Sequence, residues 1–166
     1  MKTLILVRHA KSDWDDPSLD DFDRPLNSRG KRDAPLMAER LLDKKIKIDA
    51  FIASPARRAK KTACIFAAAY KQDKSDVIFK DELYGAGEKV FADVIARAPG
   101  KSGSIAVFSH NPGITDFANQ LTETKVDNIP TCGVFAVKAD CDKWKDFATA
   151  KKQFLFFDYP KAGQDQ

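Results

Sequence analysis

Short apolar runs alternate along this chain with segments whose apolar positions recur every three or four residues. Thr3-Leu4-Ile5-Leu6-Val7 predicts a strand over 3–8, and it ends abruptly on Arg8 and His9. In 27–43, Ala34, Met37, Leu41 and Leu42 repeat at helical spacing behind Asn27, a side chain suited to an N-cap. Residues 49–53 predict a second buried strand. Residues 55–70 predict a helix with Ala59, Ala63, Phe66 and Tyr70 on one face, and 77–79 a short third strand. Residues 87–98 form a helix that turns Val90, Phe91, Val94 and Ile95 inward. Residues 104–108 are a fourth strand and 112–122 a helix. Residues 133–137 and 154–157 are two late strands, joined by a polar loop that holds Trp144.

Strands alternating with helices predict an α/β fold, a three-layer α/β/α sandwich around a mostly parallel sheet. The two late strands have no helix between them, which predicts an antiparallel strand at one edge. No repeat, low-complexity segment or linker divides the chain. The expectation is one domain over 1–160 with a flexible tail over 161–166. The longest connection, 10–26, is rich in Asp. Its spacing does not match a calcium loop, and connections of that length are functional or disordered; it reads as a polar lid.

Composition narrows the classes. With 166 residues, 43% hydrophobic and 31% charged, the chain has the make-up of a globular protein with room for a core. Its 28 basic and 24 acidic residues leave a net charge of +4, too little to argue for nucleic acid but suited to an anionic substrate. Three cysteines in no repeated spacing read as reduced thiols, not a disulfide frame. The apolar run before Arg8 is shorter than the roughly 7–15 residues of a secretory core, and no run approaches the roughly 20 of a membrane span. The expected setting is cytoplasmic, with no membrane partner. His9, His110 and the cysteines form no short-spaced ligand pair, so no metal is expected. Lys44, Lys45, Lys60 and Lys61 read as solvated helix surface, and Arg57 as surface or a substrate-steering charge.

In an open α/β sheet, ligands sit outside the carboxyl ends of the strands. The residues just past those ends are Arg8-His9, then Ser54-Pro55-Ala56-Arg57-Arg58, then Ser109-His110-Asn111-Pro112-Gly113. Ser54-Pro55 and Asn111-Pro112 each read as a cap succeeded by proline at the first helical position. Each would start a helix directly off a strand, offering free N–H groups to an anion. The chain has two histidines, and both fall at a strand end. Guanidinium groups and imidazoles gathered this way predict a pocket for phosphate or a phosphate ester.

Arg8-His9-Ala10 resembles the Arg-His-Gly signature of the histidine phosphatase superfamily, which includes the phosphoglycerate mutases. Asp23-Arg24-Pro25-Leu26-Asn27 with Gly30 after it, then Ser54-Pro55 with Arg58-Ala59 and Thr62-Ala63, then Ser109-His110 resemble its further motifs, in order. The small size, Ala10, His110-Asn111-Pro112, and Leu83-Tyr84 with Ala86 are similar to the short SixA-type phosphohistidine phosphatases. The resemblance implies a phosphoglycerate mutase-like fold, no cofactor and no metal. It implies a phosphatase in which His9 is the nucleophile and carries a covalent phosphohistidine, while Arg8, Arg58 and His110 bind the phosphoryl oxygens. The free nitrogen of His9 must be unprotonated, so its partner nitrogen should donate to a backbone carbonyl. The substrate implied is a phosphohistidine-bearing protein. The alternatives are a small phosphate ester, or a non-catalytic module that binds phosphate or a phosphoprotein. Asp81, Glu82 and Glu88 are the carboxylates near the place where larger members carry a general acid, and none sits in a motif. Asp15 stands where mutase-like members carry Asn.

Overall fold

The computed structural model of the protein describes residues 1–162. The main elements in chain order are β1 Lys2–Arg8, α1 Ser28–Asp43, β2 Ala50–Ala53, α2 Arg57–Ala69, β3 Ile78–Phe79, α3 Glu88–Ala96, β4 Ser104–Ser109, α4 Gly113–Leu121, β5 Val134–Ala139 and β6 Lys152–Asp158. The sheet order is β3-β2-β4-β1-β5-β6. β3, β2, β4 and β1 pair in parallel. β5 runs against β1, and β6 runs against β5. The antiparallel pairing at one edge is thus as expected, though the strand of opposite sense is β5, one place in from the edge.

Both faces of β1 are covered, which is why its sequence is continuously apolar rather than alternating. Ile5 and Val7 pack against α1 and α2 through Met37, Leu41 and Phe66. Leu4 and Leu6 face the other way, toward Phe91, Ile95 and Phe117 of α3 and α4. The three layers arise from this period of two. The polar pattern around Trp144 predicts a loop. Instead Trp144 opens a 3₁₀ run, Trp144–Thr149, that closes the second core, and its buried indole N–H donates to the Ser102 carbonyl at 2.8 Å. Of the expected tail, residues 163–166 lie outside the described residues.

Two helix starts differ from expectation. α2 begins at Arg57 after a bend at Pro55 and Ala56, and Ser54 Oγ accepts from the Ala56 N–H at 3.3 Å. α4 begins at Gly113 with Pro112 as its cap. Asn111 does not cap the backbone; its side-chain carbonyl accepts from the Thr115 hydroxyl at 2.6 Å. The residue before a proline is pushed out of helical conformation, so neither helix reaches back to its strand.

The register aligns the strand ends. Arg8 lies opposite Ser109, Ala53 opposite Phe108, and the Ser54 N–H donates to the Phe108 carbonyl at 3.0 Å. Gly113 lets α4 start close against the 86–91 segment, because a Cβ there would overlap the Ala86 carbonyl oxygen. Gly113→Ala should therefore lower the unfolding free energy by about 1–3 kcal/mol in urea titration. Gly100→Ala, where a Cβ meets nothing within 4 Å, should stay within about 0.5 kcal/mol.

Candidate active site

The end of β1 is held from three sides. The His9 N–H donates to the Ser109 carbonyl at 3.1 Å, and the Cys132 N–H donates to the carbonyls of both Arg8 and His9 at 3.0 Å. The Ala10 N–H donates to Thr62 Oγ1 at 3.0 Å, and that hydroxyl donates to the Arg58 carbonyl at 2.7 Å. One threonine thus ties the first turn of α2 to the residue after His9.

His9, Arg58 and His110 expose only 7%, 6% and 8% of their surface. The two imidazoles lie 5.1 Å apart between ring centroids. His9 Nδ1 is 2.8 Å from the Ala10 carbonyl. A carbonyl only accepts, so Nδ1 carries the hydrogen and Nε2 keeps its lone pair. That nitrogen lies 3.4 Å from the Arg58 Nε–H. His110 Nε2 lies 2.8 Å from the fully buried Ser54 Oγ. Arg8 donates from Nη1 to the Ile129 carbonyl at 3.0 Å. Among the described residues, two buried side-chain polar atoms lack any partner, Arg8 Nε and His110 Nδ1. Both belong to this cluster, and native interiors leave few such atoms without reason.

Burial sets the charge state. It pushes His9 down to about 3, helped by His110, Arg58 and Arg8 and opposed by the Ala10 hydrogen bond. It pushes His110 down to about 4, with Arg58 adding to the shift and Asp21 opposing it. Burial, then the neighbouring Arg58, also lowers Arg8. Both imidazoles are neutral at neutral pH.

All four residues named from the sequence meet here. The sequence reading missed a second group. Arg58 donates from Nη1 to the Asp21 carbonyl at 2.7 Å and from Nη2 to the Asp21 carboxylate at 3.0 Å. Tyr84 donates its hydroxyl to the same carboxylate oxygen at 2.6 Å. Arg24 donates to the other oxygen from Nε and Nη2 at 3.2 and 3.0 Å, and its guanidinium lies 3.4 Å over the Trp14 ring. The Tyr84 hydroxyl, then Arg24 and Arg58, hold the Asp21 carboxyl well below the usual carboxylate range. The Tyr84 ring meets His110 edge-on at 5.5 Å. The 10–26 segment is therefore anchored over the site by Asp21, inside a 3₁₀ turn at Asp21–Asp23. Asp21 and Arg24, three apart beside a proline, were the available signal.

Asp81 and Glu82 are exposed in the turn after β3, Asp15 is exposed, and Glu88 lines a separate hollow with Phe117 and Lys152. Among the described residues, no group of three or more His, Cys, Asp or Glu side chains is placed to hold a metal ion, and no helix is long and apolar enough to cross a membrane.

An α/β/α sandwich with paired imidazoles and guanidinium groups at its strand ends is an arrangement able to hold a phosphoryl group. The model of the histidine phosphatase superfamily (branch 1) matches residues 4–84. The matched stretch, just under half of the chain, holds His9 and Arg58 and is similar to that superfamily of phosphatases, and the fold of the whole chain is phosphoglycerate mutase-like. An uncharacterized chloroplastic protein of Arabidopsis thaliana is 29% identical over 154 residues, covering 87% of this chain and 70% of that one. An uncharacterized protein of Mycobacterium tuberculosis is 28% identical over 165 residues, covering 93% and 100%. Among solved structures, the protein histidine phosphatase SixA complexed with tungstate superposes with a TM-score of 0.80 at 20% identity, covering 95% of this chain and 97% of that one. A mycobacterial glucosyl-3-phosphoglycerate phosphatase gives 0.66 at 13% identity, covering 93% and 97%.

The depressed histidines set a pH dependence. Their folded values lie below the unfolded value near 6.5, so the unfolded chain binds more protons as pH falls. Their contribution to stability is complete above about pH 6.5 and is lost as pH drops toward about 4 for His110 and about 3 for His9. Ring NMR titration should find both imidazoles neutral at about pH 6; midpoints near 6.5 for both would contradict the burial argument.

Proposed function

We propose that the protein is a protein phosphohistidine phosphatase that works through a covalent phosphohistidine on His9. The observation that carries this reading is an unprotonated imidazole nitrogen set in a cluster whose Arg8 Nε and His110 Nδ1 are buried without partners. A tetrahedral phosphoryl group offers acceptors for both.

His9 Nε2 attacks phosphorus with its lone pair, and the bond from phosphorus to the substrate's leaving nitrogen breaks, that nitrogen keeping the electron pair and taking a proton from solvent water. A water then attacks the phosphorus carried by His9 and gives up a proton to solvent, the new P–N bond breaks, and phosphate leaves with the lone pair returned to His9. Arg8, Arg58 and His110 hold the phosphoryl oxygens as charge builds on them. An arriving dianion raises the affinity of His110 for a proton, turning a neutral ring into a charged donor.

The phosphoprotein reading gains support from the acid that is missing. Asp21 reaches the site, but it is held ionised by Tyr84, Arg24 and Arg58 and has no proton to give. Asp81 and Glu82 stand exposed in their turn and Glu88 lines another hollow. An alkoxide leaving group needs such an acid far more than imidazole does. The likeness to SixA, a protein histidine phosphatase with tungstate bound, points the same way. A small-ester substrate has the 0.66 likeness to a sugar-phosphate phosphatase in its favour. A reducing, cytoplasmic setting fits the three free cysteines.

Rapid quench with phosphohistidine should trap an acid-labile phosphoenzyme, absent in His9→Ala, whose kcat should fall at least about a thousandfold. Arg58→Lys, which loses the planar fork, should cost roughly 10²–10³ in kcat. Full activity in His9→Ala overturns the mechanism. Phosphate binding without a trapped phosphoenzyme would favour a binding module instead.

A further inference from the structure

Beside the mouth of the site runs a groove of about 570 Å³ whose lining includes Lys31, Arg57, Lys60, Lys61 and Lys74. One wall is Pro25-Leu26, directly after Arg24 of the active-site segment, and Arg57 donates to the Asp23 carbonyl at 3.3 Å. Arg57 is also the neighbour of Arg58 in the chain. The groove and the phosphoryl site therefore share a rim.

All five cations are exposed, and among the described residues none of them forms an ion pair. The ion pairs found there gather on Asp21, Asp33, Asp142 and Asp158. The placement also costs helix stability. Arg57, Lys60 and Lys61 crowd the start of α2, whose first turn has no acidic residue. Cations at a helix N-terminus oppose the helix dipole. Arg57 with Lys60 and Arg57 with Lys61 are like-charge pairs at three and four residues, which weaken a helix further. A local rule broken this way, with no compensating ion pair among the described residues, marks a functional surface.

We propose that this groove docks an acidic segment of the phosphoprotein, placed so that its phosphohistidine enters the site next door. The inference rests on the phosphatase reading above and adds to it the surface chemistry of the substrate. Four of the five cations are lysines, hydrated point charges that steer carboxylates without demanding one geometry. The lining offers no aromatic ring on which a nucleobase stacks, which argues for protein over nucleic acid.

Two synthetic peptides with one chemically phosphorylated histidine test this, one flanked by glutamates and the other by glutamines at the same positions. The wild-type protein should favour the glutamate peptide by roughly tenfold or more in kcat/KM at low salt. The preference should collapse toward unity at high salt, where screening shortens to a few ångströms. It should also collapse in a Lys60→Gln/Lys61→Gln/Lys74→Gln variant, while turnover of free phosphohistidine stays unchanged. That variant relieves like-charge strain, so its thermal unfolding should match or exceed the wild type. Equal turnover of both peptides by the wild type, or an undiminished preference in the variant, overturns the proposal. If the wild type hydrolyses neither peptide nor free phosphohistidine, the phosphatase reading fails. Fluorescence anisotropy of the unphosphorylated glutamate peptide then decides the groove: binding lost in the variant upholds it, and binding unaffected by the variant, or no binding, overturns it. A single-stranded oligonucleotide that binds through the same lysines in preference to the glutamate peptide also overturns it.

Discussion

Arg58 is buried against one imidazole with the half-buried Arg8 close by, and holding two like charges largely out of water is the constraint the rest of the site is built around. Burying a charge is costly unless it is paired or hydrogen-bonded. Arg58 meets that cost through Asp21, which takes both Nη groups. Arg8 meets it in part through the Ile129 carbonyl and leaves Nε without a partner. The imidazoles complete the balance by staying neutral, since a proton on either would add a third charge. The low proton affinity of His9 is a consequence of its burial first and of its charged neighbours second, and it is also what a nucleophilic nitrogen requires.

That electrostatic arrangement works only if the groups cannot drift apart. The backbone supplies the rigidity. β1 is covered on both faces, and the carbonyls of Arg8 and His9 share one N–H from Cys132. Thr62 joins Ala10 to Arg58, although His9 and Arg58 lie 49 positions apart in the chain. Sites carried on regular elements hold their geometry better than sites on loops. Here Arg8 and Arg58 sit on regular elements, His9 and His110 directly follow strand ends, and Asp21, in the 10–26 connection, is clamped by three side chains at once.

Much of this was legible in the sequence because strands buried on both faces are written as unbroken apolar runs, and charged residues that interrupt such runs stand out. Arg8, His9 and His110 could be named that way, and Arg58 was set apart from Arg57 by the resemblance of Ser54-Pro55, Arg58-Ala59 and Thr62-Ala63 to a family motif. The helix starts were misread for a tertiary reason. Ser54 and Asn111 look like caps, but Ser54 lies at hydrogen-bond distance from His110, and Asn111 serves Thr115 and Ile129. Asp21 and Tyr84 were hidden differently. The stretch from 13 to 23 holds several aspartates of equal standing, and only the folded path of the segment decides which one reaches an arginine 37 residues away. Tyr84 gave no sign of its role because its partner was not yet known.

On the docking proposal, the start of α2 serves two tasks. Arg58 turns inward, is buried and fixed, and acts over a few ångströms. Arg57, Lys60 and Lys61 turn outward, stay hydrated, and act over a screening length of about 8 Å at physiological salt. The inward residue needs a planar fork and rigid support. The outward ones need charge and freedom, and lysine supplies both at the expense of local helix stability. A substrate that is itself a folded protein presents its phosphoryl group on a surface, so orientation must be set before the phosphoryl group enters the site. On the docking proposal, long-range cations beside a short-range anion trap give that order of events: attraction first, then insertion of the phosphoryl group among groups already aimed at it.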